Sequence, residues 1–108
     1  MATPTGDELI RLLAALSSPH RLRVVAALVG RRNYVSRLAR ELNISRSLLQ
    51  VHLRKLEAAG VISATTEVSE EGKAMRFYEA KPFKVLLTPE AIAVAAQTLT
   101  TMDGKEAE

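Results

Sequence analysis

The residues whose types and spacing could do chemistry lie in one helical stretch near the middle of the chain. Arg46, Gln50 and Arg54 are spaced four apart, which places them in one row on a helix surface. Arginine can form two hydrogen bonds with a guanine edge, and glutamine can do so with an adenine edge. Ser47 can hold a phosphate, and Val51 suits a thymine methyl group. Because an α-helix fits the major groove, this face has the chemistry of a DNA reader.

The charge distribution favours a polyanionic partner. The 108 residues carry a net charge of +3, but the segment from Pro19 to Ala58 contains nine Arg or Lys and only two Glu. A solvated helical surface usually mixes both signs, whereas a segregated basic block is typical of proteins that bind nucleic acid. The alternative is an ordinary polar helix face, and the row taken alone does not decide between the two.

The elements that must position this row are predicted to be helices. Apolar residues at helical spacing predict a first helix over residues 7–17. Ser18 can cap a second helix, which starts at Pro19 and ends near Gly30. A third helix covers about residues 34–42. The turn at residues 43–45 joins it to a fourth helix that runs to about residue 58, which makes a helix-turn-helix.

Each of these helices has an apolar face that we expect to be buried. For the second helix the expected inner face is Leu22, Val25, Ala26 and Val29. For the third it is Val35, Leu38, Ala39 and Leu42, and for the fourth it is Leu49, Leu53 and Leu56. His52 lies at the edge of the last face. It is either a half-buried packing residue or a phosphate contact or pH-sensitive donor.

After Gly60 the period changes to that of strands. Residues 61–80 predict two strands around a turn at 70–73, in which Gly72 can take the unusual backbone angle. Thr88 can cap a last helix over residues 89–102. The predicted fold is mainly α with a small β-hairpin. It is a winged helix-turn-helix of order α-α-α-α-β-β-α in a single domain, 1–108, with flexible tails at 1–6 and 103–108.

The hairpin carries two cations that could reach phosphates, Lys73 and Arg76. Two acids at its tip, Glu70 and Glu71, do not suit a minor-groove probe. A solvated turn without DNA contacts is therefore the alternative for this element.

Three segments together resemble one known family. They read SSPHRLRVVAAL, VSRLARELNISRSLLQVHLRKLEAAGVI and EEGKAMRFYEA, and over about residues 9–80 they look like successive parts of ArsR-type winged-helix transcriptional regulators. MarR-type regulators share some of these signals. The resemblance implies a homodimeric repressor on an inverted repeat, with the fourth helix in the major groove. The DNA contacts it implies are Ser45, Arg46, Ser47, Gln50, Val51 and Arg54. The third helix lacks the cysteine pair of metal-sensing members, so we expect no metal site.

The first and last helices carry apolar stripes that one small core cannot cover fully. We therefore expect a homodimer, and two-fold symmetry calls for half-sites about one helical turn, roughly 10 base pairs, apart. The alternative is a monomer whose terminal helices fold back on its own core. The expected interface consists of Leu9, Leu12, Leu13, Leu16, Ile92, Ala95, Ala96, Leu99 and Met102.

The inventory of side chains excludes several classes of function. The chain has no cysteine, which excludes disulfides and thiolate metal sites. It offers no defensible nucleophile–base–acid arrangement, glycine-rich phosphate loop or metal-ligand cluster, so we expect neither an enzyme nor a cofactor. It shows no membrane span or secretory signal, so we expect a cytoplasmic protein. No pattern predicts a small-molecule effector.

The function predicted from the sequence is therefore that of a sequence-specific DNA-binding transcriptional regulator. Two alternatives stay open. One is a chromosome-coating protein that tolerates any DNA sequence, and the other is a winged helix that binds an acidic protein.

Overall fold

The predicted winged helix-turn-helix order is confirmed. The computed structural model describes residues 3–100, and within that range it contains five helices and three strands. None of the described helices is long and apolar enough to cross a membrane. In chain order the elements are α1 (Gly6–Leu16), α2 (Pro19–Ala27), β1 (Asn33–Tyr34), α3 (Val35–Leu42), α4 (Arg46–Ala58), β2 (Ile62–Val68), β3 (Ala74–Ala80) and α5 (Pro89–Ala96).

Two compact units divide the chain. One spans residues 15–82 and contains α2 to α4 and the three strands. Of the described residues, the other unit comprises 3–14 and 83–100, with most of α1 and all of α5. We call them the winged unit and the terminal unit.

The core of the winged unit fixes the rotation of α4 about its axis. Leu49, Leu53 and Leu56 are buried, as the spacing predicts. Burial of a leucine side chain contributes about 1.5–3 kcal/mol, so the three hold this face inward. They pack in a core to which α2, α3, β2 and the residues next to them also contribute: Val24, Leu28, Leu38, Ala39, Val61 and Ile62.

The predicted inner face of α2 is wrong. Leu22 is 55% exposed and Val29 is 69% exposed, whereas Val24 and Leu28 are buried. The run from Val24 to Val29 is entirely apolar, so its period does not select one face. Contacts with α3 and α4 select it instead, and they take the pair spaced four apart.

The strands form a three-stranded antiparallel sheet in the order β1-β3-β2. The predicted turn closes the hairpin, where the Ser69 N–H donates to the Lys73 carbonyl at 2.8 Å. Gly72 adopts a φ of 86°, which favours glycine. The short strand β1 pairs Asn33 with Tyr78. It was missed because two residues cannot display a period.

In the terminal unit, α1 begins inside the segment predicted to be a loose tail. The Thr5 hydroxyl accepts from the Glu8 N–H at 3.1 Å, and the Glu8 carboxylate accepts from the Thr5 N–H at 2.9 Å. This reciprocal capping box stabilises the first turn of α1. Gly6, which the sequence assigns to a loose tail over 1–6, is thus the first residue of α1, while residues 103–108 lie outside the described range.

The last helix is shorter than predicted. It ends at Ala96 rather than 102, and residues 97–100 are not helical. The Thr98 hydroxyl accepts a hydrogen bond from the Gly6 N–H at 2.8 Å, and the Thr100 hydroxyl donates one to the Asp7 carboxylate. These threonines bond to α1 rather than continue the helix. The Thr98 hydroxyl also donates to the Ala95 carbonyl at 2.9 Å, a local hydrogen bond of the kind that competes with continuation of a helix.

Candidate nucleic-acid interface

The turn before α4 has the geometry that the sequence predicts. Asn43 adopts the left-handed conformation, with φ 57° and ψ 48°, and ends α3. The Ile44 N–H then donates to the Ala39 carbonyl at 3.1 Å. The Ser45 hydroxyl caps α4 by accepting from the Leu48 N–H at 3.1 Å. Three residues thus fix the direction in which α4 leaves α3.

The face of α4 opposite the buried leucines is polar and exposed. Arg46, Gln50 and Arg54 form the row expected from their spacing, which we call the α4 row. Within residues 3–100, neither arginine of the row forms an ion pair. All the residues expected to contact DNA at this helix are exposed: Ser45, Arg46, Ser47, Gln50, Val51 and Arg54.

Several other arginines of the winged unit are neutralised by acids. Glu41 pairs with Arg31 at 2.6 Å and with Arg37 at 3.3 Å. Hydrogen bonding from Arg31 lowers the pKa of Glu41 below its ordinary value, so this acid stays ionised near neutral pH.

A second arginine–glutamate ion pair lies at the sheet. Arg32 forms an ion pair with Glu67, and its guanidinium lies 4.3 Å from the centre of the Phe77 ring. The hydrogen bond from Arg32 lowers the pKa of Glu67. Positive charge at these positions is compensated by paired acids, whereas the arginines of the α4 row have no paired acid within residues 3–100.

A depression at the start of α4 brings in two residues that the sequence did not single out. Its volume is about 570 Å³, and Ser36 and Arg40 of α3 line it together with Ser45 and Arg46. Arg40 is exposed and lies four residues after Ser36 on α3. That spacing was the signal available in the sequence.

The hairpin of β2 and β3 is the wing of this fold, and its two cations differ in their surroundings. Arg76 donates to the Glu57 carboxylate at 3.0 Å and to the Tyr78 hydroxyl at 3.1 Å. Glu57 belongs to α4, so the pair ties the wing to that helix. Lys73 is exposed at the turn, next to the exposed acids Glu70 and Glu71. Of the two cations, only Arg76 has an acid as its partner among the described residues.

The predicted interface residues of the terminal helices divide by exposure. Leu9 and Ala95 are buried in the single chain, and Leu12 and Leu16 are half-buried. Met102 lies outside the described residues. The exposed members are Leu13 at 43%, Ile92 at 47%, Leu99 at 41% and Ala96.

No group of three or more acidic or histidine side chains that could hold a metal ion occurs within the described part of the chain. His52, which the sequence left open, is buried on the inner face of α4 and does not face outward with the row.

Comparison with known proteins gives concordant results. Residues 18–64 match the family model described as bacterial regulatory protein, arsR family. The chain is 35% identical over 85 residues to an uncharacterized HTH-type transcriptional regulator of Methanocaldococcus jannaschii. That match covers 79% of this chain and 88% of the relative.

Two solved structures have a similar fold. Reduced HlyU from Vibrio cholerae gives a TM-score of 0.60 at 23% identity and covers 84% of each chain. NolR from Sinorhizobium fredii gives a TM-score of 0.58 at 22% identity and covers 84% of this chain and 80% of NolR.

Proposed function

We propose that this chain, which belongs to the ArsR family of helix-turn-helix transcriptional regulators, is a homodimeric repressor that binds an inverted-repeat operator. The observation that carries the proposal is the α4 row. It stands opposite three buried leucines and has no acid paired to its arginines among the described residues. Family membership makes the chain a DNA-binding regulator rather than an enzyme.

The α4 row is proposed to read bases. Arg46 and Arg54 suit guanine edges, and Gln50 suits adenine. Val51 is exposed beside them and offers an apolar surface to a thymine methyl group. Because the leucine face prevents α4 from turning about its axis, these side chains are held in one orientation toward the groove.

Phosphate contacts are proposed on either side of the groove. Ser36, Arg40, Ser45 and Ser47 lie at or near the start of α4, and the first helix of a helix-turn-helix crosses the DNA backbone. In the wing, Lys73 is exposed and can contact a phosphate without first breaking an ion pair. Arg76 can reach a phosphate only if it leaves Glu57.

Dimerisation is proposed through the exposed apolar side chains of the terminal unit. Leu13, Ile92 and Leu99 support it, and Leu86 and Val94 extend the apolar surface beyond the sequence prediction. Two-fold association would present two α4 rows to one side of the duplex. Repression would follow because the bound dimer would exclude other proteins from the operator.

The test is binding to fragmented genomic DNA in the presence of competitor DNA. We expect recovery of fragments that share an inverted repeat. Equal binding to all fragments with a steep salt dependence would favour the chromosome-coating alternative. Absence of binding would favour the protein-interaction alternative. In vitro transcription from a recovered fragment then distinguishes repression, which we expect, from activation.

A further inference from the structure

Beneath the exposed row, a polar contact joins α4 to α2. His52 is 9% exposed, and its Nδ1 lies 3.1 Å from Nη1 of Arg21. The Nε of Arg21 also donates to the Ala15 carbonyl in the last turn of α1. Arg21 of α2 therefore contacts both the end of α1 and α4 within the winged unit. His52 is its contact on α4, the helix that carries the row.

The contact requires a neutral imidazole. A guanidinium only donates hydrogen bonds and stays protonated throughout the accessible pH range. Nδ1 of His52 must therefore accept, which leaves the ring proton on Nε2. That Nε2 is buried and has no hydrogen-bond partner among the described residues.

The surroundings of His52 oppose a charge. Burial is the largest cause that lowers the pKa of His52, followed by the nearby charges of Arg21, His20 and Lys55. His20 is on α2 with its ring 5.3 Å from that of His52, and Lys55 is on α4 itself. None of these groups is an acid. Protonation would replace an accepted hydrogen bond with a contact between two cations.

We propose that His52 is a positioning residue that holds α4 against α2 only in its neutral form, so that acidification loosens α4 and weakens operator binding. This inference rests on the proposed DNA-binding function. This predicted loss of operator affinity on acidification is unusual, because protonation of a DNA-binding surface generally adds positive charge and strengthens binding to phosphates.

The pH window follows from the direction of the shift. The folded pKa of His52 lies below the ordinary value of about 6.5, so the unfolded chain takes up the proton first as pH falls. The stability that the neutral contact supplies is thus present above about pH 6.5. It is lost as pH falls from there through the folded pKa.

The experiment compares wild type, His52→Asn and His20→Asn. Operator affinity and the free energy of unfolding are measured at about pH 7.5 and about pH 5.5, at one ionic strength. The Oδ1 of an asparagine can accept from Arg21 in place of Nδ1 but cannot be protonated there. We expect wild type to lose affinity several-fold at the lower pH while it remains folded. His52→Asn should lose none, and His20→Asn should behave like wild type.

The outcomes separate this inference from the proposed function. A wild-type affinity that stays level or rises on acidification overturns the role of His52, as does an equal loss in His52→Asn. If no DNA is preferred at neutral pH, the proposed function fails. Equal pH profiles of unfolding free energy in wild type and His52→Asn then overturn the neutral contact as well. If His52→Asn does not fold, NMR titration of the His52 ring in the wild-type protein is the deciding measurement. A lowered pKa of His52 supports the inference, and an ordinary or raised pKa contradicts it.

Discussion

At the residue scale, the role of an arginine in this chain depends on whether an acid lies within reach. Arg32 and Arg76 are held by Glu67 and Glu57, which are distant in sequence. Arg46 has no such partner among the described residues. The sequence predicts which faces are basic from residue type and spacing. It could not predict these pairings, because the first depends on how the strands pair in the sheet and the second on how the hairpin packs against α4.

The α4 row gives the first prediction. Replacing Arg46 or Gln50 with alanine should weaken binding to the preferred operator by about 1–3 kcal/mol, because each removes a bidentate contact with a base. Preference at one or two base pairs should relax at the same time. Fluorescence anisotropy on the operator and on single-base variants measures both effects.

The matched control is Arg23→Ala, which removes an exposed cation from α2, outside the row. It should leave base preference unchanged. If Arg46→Ala or Gln50→Ala weakens binding to operator and random DNA equally, the residue contacts phosphate and does not read a base.

At the element scale, the wing is predicted to contribute phosphate contacts but no base reading. Lys73→Ala should make the dependence of log affinity on log salt shallower by about one unit, because one phosphate contact releases about one counterion. Arg76→Ala should do the same only if Arg76 exchanges Glu57 for a phosphate. Affinity measured across a salt series distinguishes the two cases. An unchanged slope in the double variant would leave the wing as a structural hairpin.

At the start of α1, we predict that a glycine-to-alanine change destabilises the protein, although helix propensity alone predicts the reverse. A Cβ at Gly6 would overlap the Ala95 carbonyl oxygen and lie 2.7 Å from the Leu99 side chain. Gly6→Ala should therefore destabilise the protein by about 1–3 kcal/mol, the usual cost of overpacking. Propensity alone favours alanine over glycine in a helix by about 0.5–1 kcal/mol. Chemical denaturation decides, and a stabilised variant would show that the close approach is absent.

Elements with strong local signals were predicted well, and those that depend on distant contacts were not. The turn at Asn43 and the cap at Ser45 are local, and both are confirmed. The buried face of α2 and the strand β1 depend on neighbours that the sequence pattern does not reveal. The predicted end of α5 was wrong for a related reason. Thr98 bonds to Gly6, which is 92 positions away in the chain.

At the scale of the whole molecule, we predict two-fold symmetry through the terminal unit. A stable interface buries about 800 Å² on each partner. The terminal unit exposes several large apolar side chains that could contribute to such an area. Leu86 is the most exposed of them, at 75%. Buried Leu9 and Ala95 would support such an interface from behind rather than contact the partner. The exposed side chains are therefore the ones to change.

The last prediction is that Ile92→Glu converts a dimer to a monomer. Ile92 is half exposed, so a carboxylate there would be solvated in the single chain but desolvated without a partner in the dimer. Leu99→Glu should act likewise, although its closeness to Gly6 makes it the less clean change. Sedimentation equilibrium at micromolar concentration should give a dimer for wild type and a monomer for Ile92→Glu. Thr66→Glu, at an exposed position of β2, is the charge-matched control and should remain dimeric.

Operator binding by the same variants then tests whether the symmetry of the protein matches that of the DNA. A monomer keeps one α4 row and should still bind a half-site weakly, but it should lose the added affinity of two half-sites about one helical turn apart. Wild type should therefore prefer the full inverted repeat strongly over a single half-site, and Ile92→Glu should not. A wild-type monomer whose operator affinity is unchanged by Ile92→Glu would rule out both the dimer and the inverted repeat, because one α4 row would then account for all of the recognition.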